Sequence, residues 1–127
     1  MIAVDTSALV AIVLNEPESE ACMSAIETAD RIIISAGTVA EALIVAGRRN
    51  ISAEMDQMIW GLPLEIVAVS AASARRIAEA YGRWGKGVHP ASLNYGDCFA
   101  YDVAIDHGCA LLYVGEDFAQ TDVKAAI

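Results

Sequence analysis

The sequence predicts an α/β fold, a three-layer α/β/α sandwich around a mostly parallel central sheet. Short runs rich in Ile and Val recur along the chain at residues 2–4, 32–34, 66–69 and 111–114. Longer segments, whose apolar residues recur at helical spacing, separate these runs. Strands that alternate with helices pair in parallel, and helices must then cover both faces of their sheet.

The composition predicts one folded domain that spans residues 1–127. With 56% apolar and 20% charged residues, the chain of 127 residues can bury a sizeable core. No apolar run approaches the roughly 20 residues that cross a bilayer, and the opening MIAVD carries an acid where a secretion signal is basic. Three cysteines form no CxxC pair, which favours reduced thiols and disfavours a zinc site. We therefore expect a cytoplasmic protein without membrane association.

The first half of the chain contains two strands and several helices. Thr6 and Ser7 offer an N-cap for a helix over residues 8–14, and Pro17 restarts a helix over residues 18–29. A strand over residues 31–35 precedes a helix over residues 39–49. These elements give the order β-α-α-β-α.

The second half continues the alternation. Pro63 ends the next helix, and an amphipathic helix over residues 71–84 ends at Gly85. Residues 85–93 form a loop, after which Asn94 caps a helix over residues 95–107. The last strand follows that helix.

Four acids fall where ligands bind in such folds, beyond the carboxyl ends of the strands. They are Asp5, Glu41, Asp97 and Asp117. Each has a structural alternative: Asp5 and Asp97 can cap helices, and Glu41 can reach solvent. Glu116 competes with its neighbour as the fourth acid, and Asp122 is a weaker candidate that either supports the site or caps a turn.

Four converging carboxylates require a cation. Two carboxylates about 5 Å apart repel by roughly 3 kcal/mol at an effective dielectric of about 20. Oxygen ligands without His or Cys nearby suit Mg²⁺ or Mn²⁺ better than Zn²⁺, and we expect Asp5 and Asp97 to bind the ion. Such an ion lowers the pKa of a bound water and stabilises charge at a phosphodiester, which predicts phosphate ester hydrolysis.

Four sequence blocks are spread along nearly the whole chain, between residues 2 and 122: IAVDTSALVAI, AEAL around Glu41, GKGVHPASLNYGDCFAYDVA and LLYVGEDFAQTD. This pattern resembles the PIN-domain ribonucleases, most closely the VapC toxins of bacterial VapBC toxin–antitoxin pairs. The resemblance implies a Mg²⁺- or Mn²⁺-dependent endoribonuclease that cuts structured RNA, such as transfer or ribosomal RNA, and that a cognate VapB-type antitoxin inhibits.

The resemblance also assigns roles to individual residues. It implies that the catalytic acids are Asp5, Glu41, Asp97 and Asp117, and that Thr6 supports the site. Many family members carry Ser or Thr just after the fourth strand, whereas this chain has Tyr113, Val114 and Gly115 there. The support of the fourth acid therefore stays open at this point.

Charge opposes RNA binding, because the chain carries a net charge of −9 and phosphate contacts from Lys and Arg supply most nonspecific affinity. Four of the eight basic residues lie in one helix and the loop after it: Arg75, Arg76, Arg83 and Lys86. We predict that Arg83 and Lys86 contact RNA, although a solvated helix face is the alternative. The positions of Arg48 and Arg49, at the C-terminal end of their helix, are equally well explained by a favourable interaction with the helix dipole.

Other functions fit the sequence less well. A haloacid-dehalogenase-type phosphohydrolase needs a second acid two residues after Asp5, where this chain has Ser7. A receiver-like module needs an acceptor acid after the third strand, which ends in Ser70. A noncatalytic, sequestering PIN domain would be expected to have lost acids. The high apolar content also predicts a homodimer.

Overall fold

A four-stranded parallel sheet lies at the centre of the protein. The computed structural model describes all residues 1–127. The strands are β1 (Ile2–Val4), β2 (Ile32–Ser35), β3 (Leu64–Val67) and β4 (Ala110–Leu112). Their order across the sheet is β3-β2-β1-β4, and every neighbouring pair is parallel. β1 is thus a central strand, and its carboxyl end lies between those of β2 and β4.

Helices cover both faces of the sheet. They are α1 (Thr6–Val13), α2 (Ser19–Thr28), α3 (Ala36–Arg48), α4 (Ser52–Gly61), α5 (Ala71–Trp84) and α6 (Tyr95–His107). One apolar core joins the sheet to α1, α2, α3 and α4, and a second joins it to α5 and α6. This arrangement confirms the predicted three-layer α/β/α sandwich. No helix is both long and apolar enough to cross a membrane.

Alternation along the strands divides the apolar side chains between the two cores. Ala3 and Leu111 face α5 and α6, whereas Val4 and Leu112 face the other layer. All four are fully buried. Strands buried on both faces explain why these short runs are almost continuously apolar.

The bounds of β3 and β4 differ from the prediction. β3 covers Leu64–Val67 instead of residues 66–69, because an edge strand with half-exposed side chains needs no continuous apolar run. Glu65 on this strand forms an ion pair with Arg31 of the neighbouring chain segment, with Nε and Oε2 2.9 Å apart. β4 ends at Leu112, two residues before the predicted end. The backbone N–H of Val114 donates to the hydroxyl of Ser7 instead of to the sheet.

The helices of the first half also begin and end at slightly different residues. The predicted N-cap of α1 was wrong: Asp5 caps this helix, which begins at Thr6. α2 covers Ser19–Thr28, and α3 begins three residues before its predicted start because Ser35 caps it. In contrast, α5 and α6 have the predicted bounds, and Asn94 caps α6 as expected.

The C-terminal segment lies along the free edge of β4. A short 3₁₀ helix, Phe118–Gln120, follows β4, and Leu111 and Ala125 then form a parallel bridge. The Leu111 N–H donates to the carbonyl of Lys124 at 2.8 Å. This contact places residues 117–122 beside α6.

Candidate active site

Three of the four predicted acids line one pocket beyond the carboxyl end of β1. The pocket has a volume of about 340 Å³. Asp5 enters it from the β1–α1 junction, Glu41 from α3 and Asp97 from the first turn of α6. The sheet therefore brings together residues that lie far apart in the chain, as its topology predicts.

Asp5 is both a helix cap and a buried acid. Its Oδ2 accepts hydrogen bonds from the backbone N–H of Ser7 at 3.0 Å and from the Ser7 hydroxyl at 2.7 Å. Its Oδ1 is buried and has no hydrogen-bond partner. Burial raises the pKa of Asp5 to about 7; the Ser7 bonds oppose this rise, and the charges of Asp97 and Glu41 add to it.

Glu41 is held in place by two neighbouring elements. The Thr6 hydroxyl donates to Glu41 Oε1 at 2.6 Å, so Thr6 contacts an acid of the site. On the other side, a Cβ added to Gly96 would collide with the Glu41 carboxylate. Glycine at position 96 therefore leaves the space that the Glu41 carboxylate occupies beside α6.

Asp97 occupies the N3 position of α6. Its Oδ2 accepts from the backbone N–H of Asn94 at 3.0 Å, while the Asn94 side chain accepts from the Asp97 N–H at 2.8 Å. This reciprocal capping box fixes the carboxylate at the pocket. Burial raises the pKa of Asp97 to about 6, and the charges of Glu41 and Asp117 add to that rise.

Asp117, the fourth predicted acid, lies outside the pocket lining. It is exposed, but its charge acts on Asp97. Glu116, its rival, is also exposed, and its charge acts on Tyr113. Of the two, the structure brings Asp117 nearer to the other acids.

Asp122 lies outside the pocket and belongs to a separate network. Its Oδ1 accepts from the hydroxyl of Tyr101 at 2.6 Å, and that hydroxyl accepts from Trp84 Nε1 at 3.0 Å. Arg83 completes the network with Nη1 3.7 Å from Asp122 Oδ2 and its guanidinium 4.5 Å above the Trp84 ring. These contacts attach the C-terminal segment to α5 and α6.

The predicted basic surface is partly neutralised. Arg76 pairs with Asp102 at 2.7 Å and with Asp106 at 3.3 Å, so its charge is compensated. Arg83 keeps 64% of its side chain exposed beside its own acid partner. Lys86 lines an apolar groove between α5 and α6.

The chemistry of the acid pocket suits a hard cation. No group of three or more His, Cys, Asp or Glu side chains is close enough to form a ready-made metal cage. Asp5 and Asp97 nevertheless offer oxygen atoms at one pocket, and the unpartnered Oδ1 of Asp5 is a buried ligand atom without a donor. Two carboxylates suffice for Mg²⁺, which keeps several of its waters.

Two residues of the pocket, Ser7 and Arg49, were not identified as part of a site from the sequence. Ser7 joins Asp5 to Val114, because its hydroxyl donates to the former and accepts from the N–H of the latter at 3.0 Å. A Ser two residues after a helix-capping acid was the only hint of this role. Arg49 lines the acid pocket together with Glu41. Their spacing of eight residues on one helix was the available sign.

Comparison with known proteins identifies the family. A family model described as PIN domain matches residues 2–124. The chain belongs to the PIN-domain family. Within that family, this PIN domain is 40% identical to Ribonuclease VapC30 of Mycobacterium tuberculosis over 123 residues, which cover 94% of each protein. It is also 40% identical to Ribonuclease VapC of Mycolicibacterium smegmatis over 125 residues, covering 96% of this chain and 97% of the relative. These matches place the PIN domain in the VapC group.

Solved structures share the fold of this PIN domain. The structure of Mycobacterium tuberculosis VapC20, described as a sarcin-ricin loop cleaving toxin, aligns with a TM-score of 0.79 at 15% identity, covering 97% of this chain and 96% of that one. A toxin-antitoxin complex from Klebsiella pneumoniae aligns with a TM-score of 0.72 at 17% identity, covering 96% and 93%. VapBC2 from Rickettsia felis, bound to a promoter DNA fragment, gives 0.71 at 19% identity, covering 98% and 96%.

Proposed function

We propose that this PIN domain is a Mg²⁺- or Mn²⁺-dependent endoribonuclease toxin that hydrolyses phosphodiester bonds of structured RNA, either transfer or ribosomal. The observation that carries the proposal is the pocket shared by Asp5, Glu41 and Asp97, in which one buried carboxylate oxygen has no partner. Relatives that are 40% identical are named ribonucleases. The pocket lining contains no Cys or His, and its two hydroxyls, those of Thr6 and Ser7, both donate to carboxylates, which favours attack by water.

The acids of the pocket would have different roles in such a reaction. A bound Mg²⁺ would supply an activated water and would offset charge on the phosphate. Asp5 and Asp97 would hold the ion. The Ser7 bonds occupy one oxygen of Asp5, and the other oxygen is buried without a hydrogen-bond partner. Glu41, whose carboxylate accepts a hydrogen bond from Thr6, would orient or deprotonate the attacking water. Asp117 would add negative charge, which already acts on Asp97.

Cleavage of total RNA tests this function. The purified protein is incubated with RNA in Mg²⁺, Mn²⁺ or EDTA, beside the Asp97→Asn variant, and new ends are mapped by sequencing. We expect discrete cuts that need the metal and are absent in the variant. Glu54→Gln, which removes an exposed acid of α4 far from the pocket lining, is the matched control and should cut normally. Equal cutting by wild type and Asp97→Asn would refute the assignment.

We also propose that a VapB-type antitoxin inhibits the enzyme in the cytoplasm. Two structures with this fold are toxin–antitoxin assemblies by their own descriptions. An Arg or Lys of such a partner would find four acids, including Glu16, around the pocket. Inhibition of RNA cleavage by equimolar antitoxin tests the proposal, and undiminished cleavage by a proven complex would contradict it.

A homodimer is the remaining part of the proposal. The apolar groove between α5 and α6 is open, and two of the aromatic side chains that line it, Tyr81 and Tyr95, are 40% and 67% exposed. Exposed apolar surface of this kind is typical of an interface. Light scattering should give twice the mass of the chain, and a monomer at tens of micromolar would exclude the dimer.

A further inference from the structure

The acid pocket has one basic residue in its lining. Four acids line it, namely Asp5, Glu16, Glu41 and Asp97, and Arg49 is the one cation among its residues. Arg49 is exposed, and no carboxylate lies within 4.0 Å of its guanidinium. The hydrogen-bond donors of this guanidinium are therefore not taken up by an ion pair and are free to bind an anionic group of a substrate.

Arg49 lies about two helical turns along α3 from Glu41, and both residues line the pocket. Glu41, Val45 and Arg49 recur every four residues, and all three line the pocket, so they form one stripe along α3. Eight helical residues span about 12 Å. α3 ends at this point because Asn50 adopts a left-handed conformation with φ of 58°. Arg49 is therefore the last residue of this stripe, and its side chain is exposed.

The structural role of Arg49 as a helix-end cation does not explain this position. Its neighbour Arg48 lies in the same last turn and interacts equally with the helix dipole. Arg48 does not line the pocket, however. The two residues thus share the dipole role, and they differ in access to the site.

We propose that Arg49 binds an RNA phosphate that flanks the cleaved one. The inference rests on the proposed nuclease function, and it assigns a substrate-binding role to a residue outside the acid set. A planar guanidinium binds a phosphate through two parallel hydrogen bonds. Because two helical turns separate Arg49 from Glu41, its contact falls on a neighbouring phosphate. Such a contact strengthens substrate and transition state binding alike, so it acts on KM and leaves kcat unchanged.

Fluorescence anisotropy with a labelled single-stranded oligouridylate, titrated at several KCl concentrations, tests the proposal. All proteins carry Asp97→Asn to prevent cutting. Adding Arg49→Gln should weaken binding about tenfold and make the slope of log K against log salt shallower by about 0.7. Arg49→Lys should keep the slope, since its charge remains. Arg48→Gln, the matched control, should change neither quantity.

Steady-state cleavage by the otherwise wild-type enzyme gives the second readout. Arg49→Gln should raise KM about tenfold at unchanged kcat, while thermal unfolding shows that it is folded. Equal binding by the Arg49→Gln and Arg48→Gln proteins, with wild-type cutting intact, would overturn this inference alone. Absence of both RNA binding and metal-dependent cutting in the parent proteins would overturn the inference and the proposed function together.

Discussion

Replacing Asp5 with Asn should stabilise the metal-free protein at high pH and leave its stability unchanged at low pH. Burial raises the pKa of Asp5 from its ordinary 3.8 to about 7. Ionisation of this side chain is therefore about 4 kcal/mol less favourable in the folded protein than in the unfolded one. Asn can still cap α1, because its side-chain oxygen accepts the Ser7 N–H as the carboxylate does. The substitution removes the charge and keeps the cap.

The direction of the pH effect follows from proton binding. The folded protein binds the Asp5 proton more tightly than the unfolded chain, so the unfolded chain loses it first as pH rises. The free energy of unfolding of the wild type should therefore fall between about pH 4 and pH 7 and level off above. At pH 8 the Asp5→Asn protein should be more stable by as much as about 4 kcal/mol, and at pH 4 the two should agree.

Urea unfolding in EDTA at pH 4, 6 and 8, followed by circular dichroism, measures this difference. At about 1 to 3 kcal/mol per molar urea, a gain of a few kcal/mol shifts the midpoint by more than one molar. Asp56→Asn, at an exposed position on α4, provides the matched control for loss of one acid. A pH-independent difference, or a less stable Asp5→Asn protein at pH 8, would refute the reasoning that burial of Asp5 is costly.

Three further predictions follow from the same geometry. Gly96→Ala should abolish RNA cleavage, because the new methyl group displaces the Glu41 carboxylate. Gly82→Ala, where an added Cβ has no neighbour within 4 Å, should leave cleavage intact and stabilise α5 by roughly 0.5–1 kcal/mol. Intact cleavage by the Gly96→Ala protein would contradict the predicted displacement of Glu41. Tyr101→Phe should lower the free energy of unfolding by about 1–3 kcal/mol, since the buried Trp84 N–H loses its acceptor, and unchanged urea midpoints would exclude this. Mn²⁺ at about a hundredfold excess over its Kd should raise the free energy of unfolding of the wild type by about 2.7 kcal/mol, and that of the Asp5→Asn protein by less. Thermal unfolding measures both increases. Equal increases would show that the ion binds elsewhere.

Periodicity in the sequence predicted the three layers and the bounds of two helices. It did not predict the ends of strands that long-range hydrogen bonds determine. α5 and α6 carry strong local signals, a capping Ser70 or Asn94 at one end and a glycine at the other. The ends of β3 and β4 depend on contacts between distant parts of the chain. No local pattern could show that Val114 donates to Ser7, 107 positions away.

The acids of the site were predictable because a parallel sheet collects residues at one edge. The contacts of each acid could not be predicted, because they depend on the tertiary structure. Examples are the capping of α1 by Asp5, the hydrogen bond from Thr6 to Glu41 and the close approach of Gly96 to Glu41. A glycine at position 96 permits a close approach, but the sequence does not show which group approaches it. The structure shows that the partner in this approach is the side chain of Glu41.

The bond between Ser7 and Val114 has a consequence for the synthesis of the protein. β1 lies between β2 and β4, so the strand that carries Asp5 stays unpaired on one side until the last quarter of the chain has been made. The Ser7 hydroxyl lacks its long-range donor until then, and Asp97 and Asp117 also come from this late part. An unfinished chain on the ribosome therefore holds an incomplete acid pocket. Assembly of the pocket thus waits for the last quarter of the chain.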